Sequence, residues 1–240
     1  VFCASLADVF DNAIDPKWRA DLFDLIEQTP NLDWLLLTKR IGNVLPMLEE
    51  TAARRFDLEC LHAPRMPENV WLGATVVNQA EADRDIPKLL AFNARVRFLS
   101  MEPLLGPVTL QPSWIEPEWE QGMFPSLDWV IVGGESGSRA RPMYPEWPRS
   151  LRDQCARAGV PFLFKQLGEW REPTDGERFD TTMGRAQRVP VFLVTNRGTV
   201  HCFENEQSRY GARTMLQVGK KSAGRLLDRR THDEFPRSPV

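Results

Sequence analysis

Three ionisable residues, Glu102, Glu135 and Lys165, stand close behind short apolar runs. In a parallel α/β fold, the chain opens its ligand face at such places. Pro103 bars the αR region to Glu102 and so restrains the backbone of the glutamate. Lys165 follows Phe162-Leu163-Phe164, where burial can lower a lysine pKa toward base or Schiff-base chemistry. A structural pair with Glu102 or Glu135 is the competing reading of that lysine. Glu135 follows Gly133 and Gly134, whose backbone either approaches a phosphate or carboxylate or simply makes a tight turn. The corresponding positions elsewhere carry Ser5 and Asp8, then Thr38, Lys39 and Arg40, then Thr75, Asn78 and Gln79, then Ser100, and finally Ser136 and Gln166. Acids, cations and hydroxyl or amide groups gathered in this way would suit a polar, anionic ligand. For Lys39-Arg40 a solvated strand cap is the plainer alternative.

Positioning these groups requires strands that all point one way. Near-continuous apolar runs occur at Val1 to Ala4, Trp34 to Leu37, Val70 to Ala74, Val96 to Leu99, Trp129 to Val132 and Pro161 to Phe164. Runs of this kind suit parallel strands buried on both faces. Helical patterns lie between them at Asp15 to Gln28, Val44 to Phe56, Gln79 to Phe92 and Glu146 to Ala158, the last stopping at Gly159. The mean repeat of roughly 32 residues is the size of a βα unit. The expected fold class is therefore α/β, a TIM-like or partial (β/α) barrel over residues 1–168, with a small β-containing extension over 169–240. Residues 106–127, with Pro107, Pro112, Pro117 and Pro125 beside Trp114 and Trp119, read as a loop insertion or lid. In the extension, Arg188 to Thr195 and Thr199 to Phe203 around Asn196-Arg197-Gly198 read as a β-hairpin.

The composition narrows the function classes. The 240 residues carry 30 basic and 33 acidic side chains, so no global field draws the molecule onto nucleic acid or an anionic membrane. The exception is local: Arg209 to Val240 holds eight Lys/Arg against three Asp/Glu, and Lys220, Lys221 and Arg225 form a candidate nucleic-acid contact or a solvated helix face. No run of about 20 apolar residues spans a bilayer and no signal-type segment opens the chain, so a cytoplasmic location is expected. Cys3, Cys60, Cys155 and Cys202 are too scattered for a zinc site or a disulfide framework. A GxSxG elbow, a P-loop and a strand-linked GxGxxG are all absent, and His62, His201 and His232 accompany no strand end. The start at Val1, directly in a strand-like run, reads as that of a fragment.

The segments Asn69 to Gly73, Arg97 to Gly106, Asp128 to Gly137, Phe164 to Gln166 and Gly219 through Asp228 together resemble the bacteriophage gp-thirty-seven/gp-sixty-eight family. The resemblance covers nearly the whole chain. That family is largely uncharacterised and is similar to radical S-adenosylmethionine enzymes, with an upstream three-cysteine motif of the kind that binds a four-iron, four-sulfur cluster. By this resemblance, the strand-end groups would hold S-adenosylmethionine, with Glu102, Glu135 and Lys165 near the substrate. The implied chemistry is reductive cofactor cleavage to a carbon radical, followed by hydrogen abstraction. The stretch Val1 to Phe10 resembles the part just after the cysteine motif. Cys3 alone cannot replace three thiolates, and Val77 stands where the family pattern has an acid. The alternative from another class is a non-catalytic phage or mobile-element protein that binds nucleic acid or a partner through the barrel mouth and the basic tail.

Overall fold

Residues 1–3, 7–55, 66–116, 125–174, 191–198, 200–202 and 211–236 are described by a computed structural model; Ser5, Cys60 and His62 lie outside them. Strand and helix alternate in the anticipated order: β1 (Phe2–Cys3), α1 (Pro16–Gln28), β2 (Trp34–Thr38), α2 (Val44–Arg55), β3 (Val70–Thr75), α3 (Gln79–Leu90), β4 (Val96–Met101), a single-turn α4 (Pro112–Ile115), β5 (Trp129–Gly133), α5 (Glu146–Ala158) and β6 (Phe162–Gln166). Local chemistry sets the boundaries. Asp15 caps α1 by accepting the Lys17 N–H at 2.9 Å, and Pro16 occupies the first turn, where no N–H is needed. The spacing of Arg19, Ala20, Phe23 and Ile26 gives α1 one buried face. Asn78 Oδ1 accepts the Glu81 N–H and Glu81 Oε2 accepts the Val77 N–H, both at 3.0 Å, a reciprocal capping box that starts α3. Helix α5 ends at Gly159 in the left-handed region.

Strands β1 to β6 follow one another in sequence order in a six-stranded sheet. The pairings β1–β2, β2–β3, β3–β4 and β5–β6 are parallel. An order without reversal is that of a partial (β/α) barrel; a doubly wound sheet would switch direction at its first strand. Two compact units divide the chain: residues 1–76, 83–100 and 111–129 form one, and residues 77–82, 101–110 and 130–240 form the other. In the first, every residue of β3 is buried, and Trp71, Phe98 and Trp129 cluster with ring centroids 6.4 Å (Trp71–Trp129) and 5.9 Å (Phe98–Trp129) apart. In the second, Val130, Val132, Leu151, Cys155, Phe162 and Phe164 form the core, each aliphatic or aromatic side chain contributing roughly 1.5–3 kcal/mol by leaving water.

The second unit also contains a four-stranded sheet, ordered β7-β10-β8-β9, from β7 (Trp170–Arg171), β8 (Val191–Val194), β9 (Val200–Cys202) and β10 (Arg213–Gln217). The expected hairpin is the antiparallel β8–β9 pair, with Val194 opposite Val200; the residues 188–190 and 203 at its expected limits lie outside the described ones. Strand β10 falls in what the sequence presents as basic tail. Its adjacent Met215 and Leu216 are both buried while Arg213 is exposed, a short apolar pair that charge counting hides. A final turn, α6 (Lys220–Ala223), carries the lysine pair.

Beyond α6 the chain returns to β6. Asp233 bridges Leu163, the Phe164 N–H donates to the His232 carbonyl at 2.9 Å, and the Glu234 N–H donates to the Phe162 carbonyl at 3.3 Å. The tail thereby pairs with the edge a further parallel strand would need, a way of protecting an exposed strand edge. His232 is buried there against the Phe162 ring. In the described part of the Pro/Trp-rich segment, Val108, Leu110, Trp114 and Ile115 are buried. None of the described helices is long and apolar enough to cross a membrane.

Candidate functional site

Most strands run one or two residues past the apolar runs, and this changes what their polar ends can do. Thr38, Thr75, Ser100 and Gln166 are the last or next-to-last residues of β2, β3, β4 and β6, and all four are buried. Alternation decides which neighbour is free: in β6, Gln166 points inward and Lys165 outward.

In the first unit the expected ligand groups knot together. Asp8 accepts the Phe10 N–H at 3.0 Å through Oδ1, and through Oδ2 the Thr38 hydroxyl at 3.0 Å and the Lys39 N–H at 2.9 Å. Arg40 reaches the same Oδ2 at 3.4 Å and Asp11 at 2.8 Å. Asp8 therefore fastens β2 to the loop after β1, and its lone pairs are largely spent on the chain. Lys39 and Arg40 keep exposed side chains.

In the second unit Glu102, Ser136, Lys165 and Gln166 come together. Glu102 directly follows β4, through a cis peptide bond to Pro103. Its Oε2 accepts from Lys165 Nζ at 2.6 Å and its Oε1 from Gln166 Nε2 at 2.6 Å. Gln166 Nε2 also donates to Ser136 Oγ at 3.1 Å and to the Gly134 carbonyl at 3.5 Å. The carbonyl oxygen Oε1 of Gln166 is buried without a partner among the described residues. A buried amide oxygen left in this state is costly unless something donates to it.

Other expected members have structural work. The carboxylate of Glu135 is gripped by Arg141 Nε at 2.8 Å, Nη2 at 2.7 Å and the Arg141 N–H at 2.7 Å, and this clamp holds its pKa below the usual carboxylate range. Asn78 is spent on the capping box. Gln79 bonds both sides of Thr109, accepting its N–H at 2.7 Å and donating to its carbonyl at 3.2 Å. Of the two readings of the glycine pair, the structure favours the structural one at Gly134, whose N–H donates to the Gln166 carbonyl at 2.9 Å. Its glycine identity has a steric cause, because a Cβ there would stand 2.1 Å from the Leu167 carbonyl oxygen.

Lys165 and Gln166 also line a cleft of about 530 Å³ together with Lys220, Lys221, Gly224 and Arg225. Two anchors hold α6 there. The Leu167 N–H donates to the Gly224 carbonyl at 3.0 Å, and Glu169 accepts the N–H groups of Gly137 at 3.0 Å and of Lys220 at 3.1 Å through its carboxylate. Arg225 pairs with Asp233. Lys220 and Lys221 have no carboxylate partner among the described residues. Glu169, Arg141 and Asp233, which position the site, give no sign in the sequence, since each acts across a turn or an edge that only the folded chain creates.

Residues 1–236 match the family described as Protein of unknown function (DUF5131). The chain belongs to the DUF5131 family. No curated protein and no solved structure matches it. A four-iron, four-sulfur cluster would need several thiolates. Among the described residues of this DUF5131 chain, no group of three or more His, Cys, Asp or Glu is placed to hold a metal ion. Cys155 is buried, and burial pushes its thiol up to about 12; Cys3 is partly exposed, and burial also raises its thiol. These residues do not fit a cluster.

Proposed function

We propose that this chain forms the ligand-holding part of a radical S-adenosylmethionine-type enzyme, a TIM-like barrel in lineage, acting in the cytoplasm on a substrate held at the ends of β4, β5 and β6. The observation that carries this reading is the convergence of Glu102, Lys165, Gln166 and Ser136 at the carboxyl ends of strands, where α/β folds bind ligands. Resemblance to the bacteriophage gp-thirty-seven/gp-sixty-eight family supplies the reaction class. Cluster ligands would have to come from outside the described residues.

The chain's own groups bind and orient. Glu102 offers a carboxylate already bound by Lys165 and Gln166, so a ligand hydroxyl or ammonium meets an acceptor whose position is fixed before binding. Lys165 has an exposed ammonium that can leave Glu102 for an anionic ligand group. Phe162 and Phe164, buried behind it, keep that end of β6 dry on its inner side.

The product of the complete gene, purified without oxygen and supplied with iron, sulfide and dithionite, tests the reading. Formation of 5′-deoxyadenosine from S-adenosylmethionine is the expected result, with slower turnover on the native substrate in E102Q. Absence of 5′-deoxyadenosine from the iron-loaded wild-type protein overturns the radical reading.

A further inference from the structure

We propose that the cleft between the end of β6 and α6 binds a phosphate ester of nucleotide size. The phosphate would lie among Lys165, Lys220, Lys221 and Arg225, with the rest of the ester along the Gln166 side of the cleft. This names the ligand class of the strand-end site and so rests partly on the reading above, although binding and radical chemistry are separable.

The cations are displayed by a built turn and not by a frayed tail. Gly219 (φ 86, ψ 148) and Gly224 (φ 79, ψ −163) bracket Lys220–Ala223 in backbone conformations that are essentially restricted to glycine. The Glu169 carboxylate and the Leu167 N–H fasten this turn beside β6, and Ala223 is buried beneath it. Like charges held this close repel one another, and two of the four have no carboxylate partner among the described residues. An anionic ligand removes that repulsion.

The size of the cleft sets the ligand apart from a bare anion. Gln166 lines the cleft at 5% exposure, its Nε2 donates to Glu102, Ser136 and the Gly134 carbonyl, and its Oε1 is buried without a partner among the described residues. The volume of about 530 Å³ falls within the ordinary range of small-ligand sites. A free nucleotide and a nucleotide within a single strand share this chemistry.

Equilibrium binding of adenosine monophosphate, a short oligoadenylate and inorganic phosphate to the 240-residue chain provides the test. Saturable binding of the monophosphate or the oligonucleotide, at least tenfold tighter than inorganic phosphate, is expected. K220A/K221A weakens it at least tenfold, while the charge-matched control K17A/R157A leaves it unchanged. For the oligonucleotide, the lysine pair also lowers the slope of log affinity against log salt by about 1.4. Preference for the monophosphate identifies the free nucleotide as the source, and preference for the oligonucleotide identifies the strand. Equal affinity for inorganic phosphate, or equal loss in the two double variants, overturns the proposal. Binding without 5′-deoxyadenosine formation keeps the cleft and removes the radical reading; 5′-deoxyadenosine formation without binding does the reverse.

Discussion

The amide substitution E102Q keeps the shape of the side chain and removes its charge, and its cost follows from the two bonds it breaks. Oε2 accepts from Lys165 and Oε1 from Gln166, so a glutamine at 102 must turn its NH2 toward one of two donors. Turned toward Lys165, the NH2 displaces an exposed ammonium and leaves Gln166 a neutral acceptor; turned toward Gln166, it forces that amide to rotate, and Nε2 then abandons Ser136 and the Gly134 carbonyl. A hydrogen bond to a charged group contributes about 1.5–3 kcal/mol, so a destabilisation of about 2 kcal/mol is expected, near 4–8 °C in Tm for a chain of this size. K165M removes only a cation whose side chain is 55% exposed, and a solvent-screened pair contributes about 0.2–1 kcal/mol. Urea unfolding followed by circular dichroism, with calorimetry as a second probe, ranks the variants. E102Q should lose clearly more than K165M. Equal losses, or an E102Q within about 0.5 kcal/mol of wild type, would mean that Gln166 does not depend on Glu102 and would refute the network.

Neighbouring glycines should respond differently to alanine. G134A drives a Cβ into the Leu167 carbonyl and should cost on the order of 3 kcal/mol, whereas G133A meets only the Glu102 side chain at 3.2 Å and should cost less; urea midpoints compare them. Cys155 should resist iodoacetamide at pH 8 in the native protein and react once it is unfolded, as peptide mass spectrometry reads directly, because burial raises its thiol to about 12. Arg141 holds Glu135 below its unfolded pKa of about 4.3. The stabilisation is therefore complete above that value and fades as pH falls through the lowered folded one. E135Q should flatten this part of the acid limb in Tm measured between pH 3 and 6.

Much of the frame was legible in the chain alone. Six apolar runs, four helical patterns, the stop at Gly159 and the Asn196-Arg197-Gly198 turn are short-range signals, since hydrophobic periodicity, caps and turn residues act within a few positions. Chain order also placed Glu102 and Glu135 within reach of Lys165, because sequential parallel strands deliver their ends to one side, and the fold chose Glu102. What tertiary structure alone decided was which polar end remained available. Asp8 is consumed by Thr38 and Lys39, Glu135 by Arg141, and Gly134 by the Leu167 backbone. Strand β10 and the edge pairing of residues 232–234 were hidden inside a segment whose charge dominates its pattern. The physical reason is common to all of them: a side chain's type fixes which bonds it can make, but the partner that takes them is chosen by the folded chain, from six residues away for Arg141 on Glu135 to about 70 for the tail on β6.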